Sequence, residues 1–187
     1  FGWINDSGNN GNLTVNRTVF VDLTAPQANI SNNASTTTPA NGVVNWTGNF
    51  TDTTALASYI FGFNDSGSFA NDSLVTMSGT SRLTNVTKTI TATKGKSVCG
   101  AFYVSDTAGN MQNSAYSCFD VANRLPTASW AYPSNNILHY SGNVTLNVSA
   151  GDPDADALTI YWYVNGSLNK TTTVNTTINF SKGNYVL

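Results

Sequence analysis

Glutamate is absent from these 187 residues, histidine occurs once, at His139, and charged side chains make up only 10% of the chain, against roughly a quarter in an average soluble domain. Each shortage excludes something. With one His and ten Asp as the only acids, most of them in turn-like contexts, no nucleophile and general base are evident, and no enzymatic activity is expected. A net charge of −2 offers no basic patch to nucleic acid. No apolar run approaches the roughly 20 residues that cross a bilayer. Straight-chain helix formers are scarce, which disfavours helices. The chain starts at Phe1 with neither an initiating Met nor a signal peptide, and reads as an internal or processed segment.

What fills the chain instead is Thr (26), Asn (26) and Ser (19), alongside 40% hydrophobic residues. Thr, Val, Ile and aromatics suit strands, and the apolar content suffices for the cores of one to two domains. The expected fold class is therefore all-β. Sixteen N-x-[ST] acceptors occur: Asn5, Asn12, Asn16, Asn29, Asn33, Asn45, Asn49, Asn64, Asn71, Asn85, Asn143, Asn147, Asn165, Asn169, Asn175 and Asn179. Random placement would give roughly six, so the excess points to N-glycosylation and an extracellular or cell-surface location. A sequon has period 2, which sets Asn and its hydroxyl partner on one face of a strand and the residue between them on the other. In 143–149 this turns Val144, Leu146 and Val148 inward; in 45–51 it turns in Trp46 and Phe50. Sugars on outward faces would supply the solubility that charge does not, and hinder edge-to-edge pairing.

Alternating runs recur every ten or so residues between Gly, Asn, Asp and Pro clusters, the rhythm of a β-sandwich. Residues 25–122 read as one complete sandwich, with strands near 27–31, 43–51, 57–63, 74–77, 84–91, 97–104 and 115–121. Residues 123–187 read as the first part of a second, in which 143–166 parallels 43–65 and Trp162 is the core anchor matching Phe61. Its last two strands are expected in residues 1–24, because placing Leu187 before Phe1 reproduces the order of 94–121 with about one residue of slack. Residues 1–24 would then complete residues 125–187 of an adjacent copy, on the same polypeptide or by strand donation between subunits.

The patterns Asp22-Leu23-Thr24-Ala25-Pro26, Phe50-Thr51-Asp52 to Tyr59-Ile60-Phe61, and Ser105-Asp106-Thr107-Ala108-Gly109-Asn110 resemble the immunoglobulin-like repeats of archaeal surface glycoproteins. Gly151-Asp152-Pro153-Asp154-Ala155-Asp156-Ala157-Leu158 to Trp162 is similar to domains of the polycystic-kidney-disease type. The resemblance implies tandem immunoglobulin-like β-sandwiches in a linear fibre or stalk.

Cys99 and Cys118 flank a predicted turn at Ala108-Gly109 and should face each other across a hairpin. A disulfide there stabilises by roughly 3 kcal/mol in the chain-entropy model; two free buried thiols are the alternative. Asp152, Asp154 and Asp156 alternate in a turn, as either a Ca²⁺ site or a solvated acidic reversal, and no other cofactor is expected. The function expected is structural: a component of an N-glycosylated surface fibre, stalk or S-layer-like assembly whose partners are identical copies. An adhesin or carbohydrate-binding module, using exposed Tyr161 and Tyr163, is the alternative.

Overall fold

The computed structural model describes residues 1–187 except 66, 137, 139–141 and 182. His139, and Ser66 of the Asn64 sequon, thus lie outside the described residues. The described residues form β-strands and no helix. In chain order the strands are β1 (Trp3–Asn5), β2 (Gly11–Leu13), β3 (Gln27–Asn32), β4 (Val43–Thr51), β5 (Leu56–Phe63), β6 (Ala70–Asn71), β7 (Val75–Thr76), β8 (Ser81–Thr89), β9 (Ser97–Asp106), β10 (Met111–Asn113), β11 (Ser117–Asp120), β12 (Thr127–Tyr132), β13 (Asn143–Gly151), β14 (Ile160–Val164), β15 (Ser167–Thr172) and β16 (Thr176–Asn179).

Residues 27–120 form two facing sheets. One has the order β3-β4-β8; the other runs β10-β9-β5-β6, with β11 also on β9 and β7 on β5. Period-2 burial makes the core. Val44, Trp46 and Phe50 of β4 point inward against Tyr59 and Phe61 of β5 and Val98, Phe102 and Val104 of β9. The rings pack tilted or edge-on, with Phe61 and Phe102 centroids 4.9 Å apart and Phe50 and Phe102 5.1 Å apart, the arrangement that aromatic quadrupoles favour. A Cβ on Gly100 would lie 2.6 Å from the Phe61 ring and 2.7 Å from Trp46 Nε1, so only glycine lets the two sheets close there. The Trp46 indole N–H donates to the Ser117 carbonyl at 3.1 Å, satisfying the polar atom of a fully buried ring. Gln27 opposes Thr51 at one end of this sandwich, and Asp120 opposes Ser97 at the other. The chain therefore enters and leaves by opposite ends.

Residues 127–179 repeat part of this plan. The pairing of β12 with β13 (Thr127↔Gly151, Ala128↔Ala150, Ser129↔Ser149, Trp130↔Val148) has the register of β3 with β4 shifted by 100 residues. On the other side of β13, β16 stands as β8 does beside β4. β14 and β15 form a separate hairpin about Asn165 and Gly166, both at positive φ (47° and 77°), the backbone of a tight hairpin turn. The core is small: Val144, Leu146, Trp162 and Ile178, flanked by Val148, Ile160, Val164 and Phe180. Trp162 is buried, as Phe61 is.

Candidate functional site

Two features are left over once the sheets are accounted for. The first is the hairpin β1–β2, whose strands pair only with each other among the described residues. Its side chains are exposed, Trp3 at 64% and Ile4 at 71%. This hairpin copies the β9–β10 corner 100 residues on. Trp3, Ile4 and Asn5 oppose Leu13, Asn12 and Gly11, just as Tyr103, Val104 and Ser105 oppose Asn113, Gln112 and Met111. Gly2 N donates to Thr14 Oγ1 and Thr14 N to Gly2 O; Phe102 N donates to Ser114 Oγ and Ser114 N to Phe102 O. Asp6 caps its turn by accepting from Gly8 N, Asn10 N and Asn10 Nδ2, and Asp106 accepts in the same way from Ala108 N, Asn110 N and Asn110 Nδ2.

The second feature is the edge of β14 not paired with β15. In the first sandwich the corresponding edge of β5 is covered by β9. Beside β14 lies an open apolar groove lined by Trp130, Val148, Leu158, Ile160, Trp162 and Leu187. The Trp130 ring, half exposed, stands 5.9 Å from that of Trp162. One end of the groove is already fixed. Asn165 N donates to Val186 O and Val186 N to Asn165 Oδ1, the exchange made in the first sandwich between Asn64 and Cys99. Val186 and Leu187 thus stand where Cys99 and Gly100 stand.

The sequons of β4 and β13 fall where period-2 reasoning puts them. Thirteen of the sixteen acceptor Asn are exposed, and Asn45, Asn64 and Asn147 are half-buried. Val144 and Leu146 are buried between their flanking acceptors, as are Trp46 and Phe50. Cys99 and Cys118 are directly opposite across β9 and β11 and joined by a disulfide. Because Val98, Gly100 and Phe102 take the inward positions, the disulfide lies on the outer face of its sheet, with Cys99 half-buried and Cys118 exposed. A formed disulfide and the lack of any described helix long and apolar enough to cross a membrane are compatible with an extracellular setting.

The three acids expected to offer a Ca²⁺ site do not converge. Asp154 faces Arg124, whose Nε and Nη2 donate to its Oδ1 at 2.9 and 2.7 Å and whose backbone N–H donates to its Oδ2. Those side-chain and backbone donors, with the positive charges of Arg124 and Lys94, hold the Asp154 carboxyl below the ordinary value of 3.8. Asp156 pairs with Lys94 of the first sandwich. Asp152 Oδ1 accepts from the backbone of Asp154 and Asp156, closing the turn.

A different trio does converge. One carboxylate oxygen from each of Asp22, Asp52 and Asp106 lies within 4.8 Å of the others. Asp22 is in the segment leading to β3, Asp52 follows β4, and Asp106 ends β9, so all three sit at the end of the sandwich where the chain enters. Asp106 is buried. Burial raises its pKa, but the side chain and backbone of Asn110, with the backbone of Ala108 and Gly109, outweigh this and hold it below the ordinary value. Asn110 Nδ2 also reaches the carbonyls of Asp22 (3.2 Å) and Thr24 (3.4 Å), which braces the incoming segment against the corner. Sequence reasoning missed this cluster, although each acid lies in one of the quoted motifs.

No protein-family model matches the chain, and no curated protein matches it. The site must be read from its own geometry.

Proposed function

We propose that the chain is a structural component of an extracellular, N-glycosylated fibre, stalk or surface layer, in which the hairpin β1–β2 of one copy completes the second sandwich of the copy before it. The observation that carries this is the hydrogen-bond identity between residues 2–14 and 102–114, joined to that between Asn165/Val186 and Asn64/Cys99. On this reading Phe1 of the following copy takes the place of Ala101, directly after Leu187 in the place of Gly100. The reading holds equally for a following copy on the same polypeptide and for a separate subunit. In either case the edge of β14 gains ladder hydrogen bonds and the groove gains apolar cover. The sixteen acceptors, none of them buried, would clothe such a rod in sugar. A passive scaffold needs no catalytic residues, and none is assigned.

The register is testable. Ser58 opposes Ser105 on the outer face of the first sandwich, with hydroxyls 2.7 Å apart. Aligning Trp162 with Phe61 makes Thr159 and Asn5 of the following copy their counterparts. The double variant Asn5→Cys, Thr159→Cys, oxidised in the 187-residue chain, should give a ladder at multiples of the chain mass that collapses on reduction. Monomers alone, or nothing beyond the dimers that either single variant can form, would rule the arrangement out.

An adhesive module is the second reading. It rests on Tyr161 and Tyr163, which project 59% and 51% exposed from the outer face of β14.

A further inference from the structure

Asp22, Asp52 and Asp106 present a problem that the fold does not solve. Three carboxylates converge, and among the described residues none of them has a Lys or Arg partner. Each has spent its Oδ1 on local backbone: Asp22 accepts from Thr24 N, Asp52 from Thr54 N and Ala55 N, Asp106 from Ala108 N and Asn110 N. The Oδ2 atoms of Asp22 and Asp52 are each less than 1 Å² exposed and have no hydrogen-bond partner. An anionic oxygen shut away from both water and donors is unfavourable, and two beside a third carboxylate repel one another as well.

We propose that Asp22, Asp52 and Asp106 form a Ca²⁺ site. The donors are oxygen only, with neither thiol nor imidazole in the cluster, which suits a hard cation. Ca²⁺ holds oxygens at roughly 2.3–2.6 Å, so two ligands of one ion lie at most about 5 Å apart, and the separations here are within 4.8 Å. Water and backbone carbonyls complete the shell, as is usual for this ion. The ion would do what no strand does. Residues 14–26 have no regular structure and leave Phe20 and Leu23 almost fully exposed, so a cation shared by Asp22, Asp52 and Asp106 ties this segment to both sheets and sets the direction of the hairpin before it. The site stands whether or not the fibre reading holds, since it lies within one chain.

The experiment is Ca²⁺ titration calorimetry on the purified, chelator-stripped chain, with limited proteolysis of residues 14–26 in parallel. One Ca²⁺ per chain is expected, with slower cleavage in that segment. Asp22→Asn lies outside both sheets and leaves the sandwich intact; it should weaken Ca²⁺ binding at least tenfold and restore fast cleavage, while Asp152→Asn should change neither. The absence of saturable binding, unaltered binding in Asp22→Asn, or equally tight binding of Mg²⁺ would each overturn the assignment.

Discussion

The carboxylate of Asp154 shows how far one residue's role depends on what folding brings to it. In the sequence it is one of three alternating acids; in the structure its side chain is 3% exposed and held by the Arg124 guanidinium. Because its folded pKa is depressed below 3.8, the stabilisation it gives is fully present above that value and is lost as the pH falls through the depressed one. Hydrogen exchange at the Arg124 amide, which donates to Asp154 Oδ2, should therefore stay slow to below pH 3.8 and quicken only on further acidification. Loss of protection already at or above 3.8 would contradict the pairing. Spacing in a turn is visible in a sequence, whereas the arrival of Arg124, 30 residues earlier, is not. The same limit hid the carboxylate cluster. Asp22, Asp52 and Asp106 each satisfy a local turn, and nothing local says that the three turns share one end of a sandwich.

At the scale of the strand, alternation was a sufficient guide where one face is buried and the other is wet. β4 falls on 43–51 as expected, and Trp46, Phe50 and Trp162 are buried as expected, because one apolar residue in two is a strong signal. β15 carries no such signal: Ser167, Leu168, Asn169, Lys170 and Thr171 are all exposed, so neither face differs from the other. The run expected at 115–121 is β11 (Ser117–Asp120), and a short strand that was not expected, β10 (Met111–Asn113), precedes it on the same side of β9. The cross-strand position of the cysteines was legible from their spacing about a turn; their outward direction depends on which parity of β9 faces the core. Cys99 and Cys118 are 19 residues apart. Reducing the disulfide should cost the first sandwich about 3 kcal/mol, measurable as a lower denaturant midpoint with a steeper slope, because the reduced unfolded chain is more expanded, and Cys99→Ser, Cys118→Ser should reproduce it. An unmoved midpoint would show that the strand pairing alone holds this edge.

At the scale of the whole molecule, the surface is thin in charge and rich in Asn, Thr and Ser. Exposed apolar side chains such as Phe20, Leu23 and Leu125 add to the difficulty of keeping it dispersed. On the proposed reading the covalent sugars do that work. Enzymatic removal of N-glycans from the native protein should lower its mass in several steps and promote lateral association, seen as rising light scattering; no change in mass would remove the basis of the reading. The parallel between 43–65 and 143–166 anticipated the shared register of β3–β4 and β12–β13, and the Asp-Asn turn anticipated the likeness of residues 2–14 to residues 102–114. The register itself needed coordinates, since hydrogen bonds and not side-chain types identify Val186 with Cys99.

The outward disulfide also determines how the first sandwich bears tension. The chain leaves this sandwich through β11, a four-residue strand at the edge of its sheet. Pulled along its axis from that end, β11 would otherwise be held against β9 by the hydrogen bonds of four residues alone. With Cys118 stapled to Cys99 in the middle of the pairing, load crosses into β9 through a covalent bond and spreads over β5 by shear along its length. The residues between Cys99 and Cys118 lie inside the covalent loop and are shielded from the pull.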